Sequence, residues 1–260
     1  MKLDVLKLTG GYGAKLILDG VECRVKSGSI VTLLGPNGCG KSTLLKMIGR
    51  ILRPHFGEVL LDDKALSSFN TTDLARQLAI LPQLHHAPGE VTVEELVAFG
   101  RFPHRKFGFT SSAHDKEVIN RALALTRMED LRKRPVGTLS GGERQRAWIA
   151  MTVAQEPKLL LLDEPTTFLD VCCQFEIIDM VKKLNRECGI TVVMVLHDLN
   201  LAASCSNELI MMKDHKIRYS GAPAEVMTSD ILRDVFEIES KISIHDGVPH
   251  CITVGSARRK

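Results

Sequence analysis

The sequence predicts an α/β fold: a mostly parallel sheet, an antiparallel β subdomain at the N-terminus, and a helical subdomain inserted in the middle. Three observations predict it. The runs Ile30–Leu34, Leu159–Leu162 and Ile190–Leu196 are almost wholly apolar, as strands covered on both faces are. Each is followed within a few residues by apolar side chains at helical spacing. Between Leu84 and Gln155 strand signals give way to helical ones.

The elements follow in order. Leu3, Val5 and Leu8 read as a strand, closed by Gly10-Gly11-Tyr12-Gly13. Leu16-Ile17-Leu18 and the alternation Val21, Cys23, Val25 continue the strand pattern up to Ile30–Leu34. A glycine-rich turn leads into a helix with Leu44, Leu45, Ile48 and Leu52 on one face. The insert carries helices over Val93–Phe99 and His114–Met128 and a third after Ser140-Gly141-Gly142. Loops with Pro82, Pro88, Pro103 and Pro135 separate them. Beyond Pro157 the strands Leu159–Leu162 and Ile190–Leu196 alternate with helices Val171–Glu187 and Asp198–Ser206, and short strands Leu209–Met212 and Lys216–Tyr219 follow. The expected organisation is one domain over 1–260, with a core of 1–83 and 156–260 and a helical subdomain of 84–155.

Composition narrows the function classes. With 260 residues, 44% hydrophobic and 25% charged, the chain can bury one large core. A net charge of +3 is too small a surplus to argue for nucleic acid or an anionic membrane. No apolar run exceeds five residues, so none spans a bilayer, and Met1-Lys2-Leu3-Asp4 lacks the apolar stretch of a signal peptide. Seven cysteines without a Cys-x-x-Cys pair argue against a disulfide framework or zinc knuckle. A cytosolic protein is expected.

Three features carry chemistry. Gly35-Pro36-Asn37-Gly38-Cys39-Gly40-Lys41-Ser42 fits G-x-x-x-x-G-K-[ST], between a strand and an apolar-faced helix. Its glycines let backbone N–H groups curl round a polyphosphate at a helix start; the lysine reaches the β- and γ-phosphates and the Ser42 hydroxyl ligates Mg²⁺. The motif resembles the phosphate loop of P-loop NTPases, which implies a RecA-like core. Leu159–Leu162 ends in Asp163-Glu164: Asp163 is placed to hold nucleotide-bound Mg²⁺, and Glu164 to act as general base on water. His197 follows Val192–Leu196 directly. Strands ending at Leu34, Leu162 and Leu196 would bring Lys41, Asp163, Glu164 and His197 to one carboxyl edge, where open α/β sheets bind ligands.

Leu139-Ser140-Gly141-Gly142-Glu143-Arg144-Gln145-Arg146 resembles the signature motif of ATP-binding-cassette ATPases, and Ser140 stands 23 residues before Asp163. Gln83 in Leu81-Pro82-Gln83, Leu169-Asp170, His197 and Tyr12 extend the resemblance over essentially the whole chain. The resemblance implies a role for each. Tyr12 would stack on adenine. Gly35, Pro36, Asn37, Gly38, Cys39, Gly40, Lys41, Ser42 and Thr43 would hold the nucleotide. Gln83 would sense Mg²⁺ and the attacking water. Ser140, Gly141 and Gly142 would face the γ-phosphate bound by the other subunit of a homodimer, Asp170 would touch that subunit, and His197 the γ-phosphate. The signature departs from the family at Glu143, where glutamine is common, adding negative charge near the dimer interface.

A lone cassette needs a separate integral membrane permease. Val91-Thr92-Val93-Glu94-Glu95-Leu96-Val97-Ala98-Phe99-Gly100-Arg101-Phe102-Pro103-His104 resembles a stretch of bacterial importers for iron(III)–siderophore chelates, as do His197–Ala203 and Asp246–Cys251. Haem and cobalamin importers are the related alternatives, and a soluble non-transport ATPase is the competing class. The resemblance implies ATP and Mg²⁺, permease subunits, an indirect partnership with a substrate-binding protein, no nucleic acid, and a peripheral place on the cytoplasmic face of the bacterial plasma membrane. A docking groove is expected beside Gln83, lined by Leu84–Arg105. Arg101, His104, Arg105 and Lys106 read equally as a solvated basic face or as a patch that contacts the permease or lies near lipid headgroups. Lys41 and a helix N-terminus are expected to favour the Cys39 thiolate, Cys172-Cys173 to pack against a core, and His85-His86 to be a polar loop pair.

Overall fold

In the computed structural model of the chain the described residues are 1–83, 90–105 and 112–257. They fall into two compact units, Met1–Ser68 with Thr191–Lys260, and Phe69–Ile190. The first unit opens with the antiparallel pair β1 (Leu3–Tyr12) and β2 (Lys15–Val25). Leu3, Val5, Leu8, Leu18, Val21 and Val25 all point inward and are buried. β3 (Ile30–Leu34) is buried at every position, and α1 (Lys41–Ile48) follows, burying Leu44, Leu45, Met47 and Ile48. β4 (Phe56–Leu61) and β5 (Lys64–Ala65) complete a four-stranded antiparallel sheet in the order β2-β1-β4-β5.

The second unit contains α2 (Thr71–Ala75), β6 (Leu78–Leu81), α3 (Val93–Phe99), α4 (Ala113–Leu125), α5 (Gly141–Ala154), β7 (Leu159–Asp163) and α6 (Val171–Cys188). β6 and β7 run parallel, in register from Leu78 against Leu159 to Leu81 against Leu162. α3, α4 and α5 each start with a reciprocal cap, Thr92 with Glu95, Ser112 with Asp115, and Ser140 with Glu143. α4 stops three residues short of the predicted Met128. The Thr126 hydroxyl donates back to the carbonyls of Ala122 and Leu123, Arg127 turns to φ 56°, and the Met128 amide returns to Leu123.

The chain then returns to the first unit through β8 (Thr191–Val195), α7 (Leu199–Cys205), β9 (Glu208–Lys213), β10 (Lys216–Gly221), α8 (Pro223–Val226), α9 (Ser229–Phe236), β11 (Ile238–His245) and β12 (Val248–Ser256). β3 lies between β8 and β9, parallel to both, and β10 pairs antiparallel with β9. The β11–β12 hairpin carries no strong apolar alternation. Its turn is Asp246-Gly247, both at positive φ (50° and 78°), the conformation a two-residue hairpin turn requires. The Asn200 amide accepts from the Cys251 N–H and donates to its carbonyl, tying the hairpin to α7. Among the described residues no helix is long and apolar enough to cross a membrane.

Candidate active site

The loop between β3 and α1 is shaped by its glycines. A Cβ on Gly35 (φ 149°) would stand 2.2 Å from the Met212 carbonyl oxygen, and one on Gly40 (φ 110°) would stand 2.6 Å from Leu18. Both positions therefore exclude a side chain as well as favouring the backbone angle. Asn37 and Gly38 form the exposed tip, while Cys39, Gly40, Lys41 and Thr43 are buried and Ser42 is half-buried. The Lys41 ammonium donates to the carbonyls of Gly35 (2.7 Å) and Pro36 (3.0 Å), which folds its long side chain back over the loop. A buried ammonium beside a helix start puts positive charge where the sequence expects a polyphosphate.

Two further predicted residues lie in the same unit. His197 is exposed and follows β8, which pairs with β3 in the register Leu33 against Val195. Gly35 and His197 thus each stand two residues beyond partnered positions at the same strand ends. Tyr12 is exposed at the end of β1; the Lys46 ammonium donates to its hydroxyl at 3.2 Å and stands 5.6 Å from its ring centre.

The second unit gathers the carboxylates. Asp163 ends β7 and is buried, and Glu164 follows with a left-handed backbone (φ 54°). Gln83 and Glu164 each stand two residues beyond the register partners Leu81 and Leu162. That equal offset brings them together: the Gln83 amide donates to Glu164 Oε2 at 2.6 Å. The Thr167 hydroxyl donates to the same oxygen at 3.0 Å, a contact that sequence reasoning missed. Its only signal there was a hydroxyl residue three positions after a carboxylate, which is common in turns.

The start of α5 lies in this unit too. The Ser140 hydroxyl accepts from the Glu143 N–H, and the Glu143 carboxylate accepts from the Ser140 N–H at 2.8 Å. That backbone bond holds the Glu143 carboxyl below its ordinary range. A Cβ on Gly142 would meet Cys173 Sγ at 2.8 Å, so the thiol would have to turn aside to admit it. Asp170 is exposed and accepts from the Cys173 N–H at 2.8 Å, capping α6; this bond likewise holds its carboxyl low.

The sequence profile described as ABC transporter matches residues 18–167. The chain belongs to the ABC transporter family. The iron(3+)-hydroxamate import ATP-binding protein of Bacillus subtilis is 46% identical over 253 residues, covering 96% of this chain and 94% of its own length. An ABC transporter assigned to the metal-chelate type, solved in an inward-facing conformation, superposes with a TM-score of 0.84 at 28% identity, covering 97% and 96% of the two chains. A dimeric bacterial ABC transporter cassette superposes with a TM-score of 0.74 at 30% identity, covering 85% of this chain and 98% of its own. The fold is that of an ABC ATPase cassette, and the chain is an ATPase.

Within this ABC transporter cassette several expectations change. Arg101 is neither a solvated nor a partner-facing cation. It is 1% exposed and donates to Asp115 (2.8 Å), Glu156 (2.7 Å) and the Ala154 carbonyl (2.8 Å). A ring nitrogen of His104 lies 2.9 Å from the Gln155 carbonyl, and Arg105 sits over the Phe102 ring. Lys106, His85-His86 and the first six residues of the expected groove, 84–89, lie outside the described residues. The Cys39 thiol is not activated. Burial pushes it up and outweighs the nearby Lys41 charge, so the protonated form is favoured. Cys172 is exposed instead of packed, whereas Cys173 packs on Gly142. Among the described residues no group of three or more His, Cys, Asp or Glu side chains is placed to hold a metal ion.

Proposed function

We propose that the chain binds and hydrolyses ATP to power the import of an iron(III)–siderophore-type chelate through a separate membrane permease. The hydrogen bond from Gln83 to Glu164 carries the hydrolytic half of this reading, because it joins the residue expected to sense water to the residue expected to activate it. The near full-length similarity to an iron(3+)-hydroxamate import protein supports the transport half.

The side chains present suit a nucleotide with Mg²⁺. Mg²⁺ takes oxygen ligands, keeps several waters and needs only one or two protein groups beside phosphate oxygens, so a cage of carboxylates is not required. Ser42 and Asp163 supply such oxygens, with Gln83 as a further ligand. When bound, Mg²⁺ neutralises charge on the transferring phosphate. Gly35 to Thr43 wrap the phosphates, with Lys41 turned from its own loop carbonyls to the β- and γ-phosphates. Tyr12 stacks on the adenine. Glu164 takes the proton of the attacking water, and His197 contacts the γ-phosphate.

The domain reading keeps 1–83 and 156–260 as nucleotide core and 84–155 as the signature-bearing subdomain. The cassette works as a homodimer, in which Ser140, Gly141 and Gly142 face the nucleotide of the other copy and Asp170 meets that copy. Similarity to a dimeric cassette supports this arrangement. The dimer sits against permease subunits at the cytoplasmic face of a bacterial plasma membrane, with a substrate-binding protein as an indirect partner.

The test is a capture experiment in the native host. A tagged Glu164→Gln variant, extracted from gently solubilised membranes with ATP, should bring down a polytopic membrane protein in near-equal amount. A host lacking the chain should lose uptake of iron supplied as a siderophore chelate. Recovery of ribosomes or DNA without a membrane protein, or unchanged iron uptake, would overturn the transport reading.

A further inference from the structure

Two of the contacts on Glu164 come from different directions. Its backbone lies in a left-handed turn (φ 54°) that the Thr167 N–H closes by donating to the Glu164 carbonyl at 3.2 Å. From the same turn the Thr167 hydroxyl donates to Glu164 Oε2 at 3.0 Å. The Gln83 amide reaches that oxygen from the end of the neighbouring strand β6. One donor is therefore fixed by the turn that contains Glu164, and the other arrives on a separate segment. A carboxylate on a turn otherwise rotates freely about its terminal torsions, at a cost in ordering when it must act.

We propose that Thr167 is a positioning residue for hydrolysis, whose hydroxyl fixes the Glu164 carboxylate in the orientation that receives the proton of the attacking water. The proposal rests on the reading of Glu164 as general base. In the step it serves, the water O–H proton passes to the Glu164 carboxylate while the water oxygen bonds to the γ-phosphorus. The bond from that phosphorus to the β–γ bridging oxygen breaks, and ADP leaves with the electron pair. Thr167 gives up no proton; it holds the acceptor. Gln83 meets the same oxygen, so the fixed hydroxyl keeps the carboxylate aligned whether or not the amide is in place.

The experiment compares Thr167→Val, which keeps the shape and removes the hydroxyl, with Thr167→Ser, which keeps the hydroxyl, in the full-length chain. Thr167→Val should lower kcat about tenfold while KM and nucleotide affinity stay within about twofold of the parent. Thr167→Ser should restore most of kcat. In a Glu164→Gln background, Thr167→Val should cause no further loss, because the group it positions is gone. Unchanged kcat in Thr167→Val would overturn the proposal, as would failure of the serine variant to rescue, or an equal further loss on the Glu164→Gln background. Full turnover by Glu164→Gln alone would instead remove the base reading on which the proposal stands.

Discussion

Ser140 and Glu143 satisfy each other at the start of α5: the Glu143 carboxylate accepts the Ser140 N–H at 2.8 Å, and the Ser140 hydroxyl accepts the Glu143 N–H at 3.3 Å. Whatever its charge does, Glu143 is thus a helix cap. Glutamine fills the same reciprocal cap. Glu143→Gln should shift stability by about 0.5 kcal/mol or less, whereas Glu143→Ala should cost about 1 kcal/mol. Urea unfolding of the two variants checks this; equal losses would show that charge, not capping, decides the position.

The space at Gly142 gives a second prediction. A Cβ there meets Cys173 Sγ at 2.8 Å, so Gly142→Ala should crowd the start of α5 and weaken the ATP-bound dimer proposed for the Glu164→Gln protein on a sizing column. Adding Cys173→Ala removes the sulfur and should restore part of the dimer. No restoration would mean that the signature turn rejects the methyl for a reason other than this contact.

Arg101 and Asp115 set an acid limit. Burial pushes the Asp115 carboxyl up, but hydrogen bonds from Arg101 and Ser112, together with the Arg101 charge, prevail and leave it at about 2. Its folded pKa lies below the ordinary 3.8, so its contribution is complete above about pH 4 and is lost as pH falls towards 2, a loss of about 2 kcal/mol. Asp115→Asn should flatten the stability–pH curve across that window. Arg101→Met should cost about 3–5 kcal/mol at neutral pH by stranding a buried carboxylate. Chemical denaturation across pH reads both, and an unchanged slope in Asp115→Asn would refute the assignment.

Thiol labelling separates the cysteines. Cys39 is buried and held protonated by its surroundings, while Cys172 is exposed at the start of α6. At neutral pH a maleimide should modify Cys172 well before Cys39, as mass spectrometry of timed digests would show. Earlier labelling of Cys39 would mean that the phosphate loop opens more readily than the α1 packing implies.

Much of this molecule is legible in its residues. The phosphate loop needs glycines at fixed positions, and buried parallel strands need apolar runs, so Gly35–Ser42 and the strands ending at Leu34, Leu162 and Leu196 stand out before any fold is known. Local signals also predict α3 at the bounds it has, because Thr92 and Glu95 cap it within the same segment. Long-range pairing is what escapes. Arg101 looks like a surface cation until Asp115 and Glu156 close over it, and both partners lie on other elements. β11 and β12 mix apolar and polar residues with little burial, and only the Asp246-Gly247 turn marks the hairpin. The contact from Thr167 to Glu164 depends on a left-handed turn that composition does not announce.

The shared offset of Gln83 and Glu164 from Leu81 and Leu162 has a consequence for how this protein tolerates change in length. The meeting of amide and carboxylate is a matter of counting, two residues past the end of each of two parallel strands. Substituting Pro82 alters a neighbour, but inserting one residue there moves Gln83 along the chain by up to about 3.8 Å and turns its side chain to the opposite face. Gains and losses of single residues should accordingly be purged between Leu81 and Gln83 and between Leu162 and Glu164, even where substitutions at the intervening positions pass.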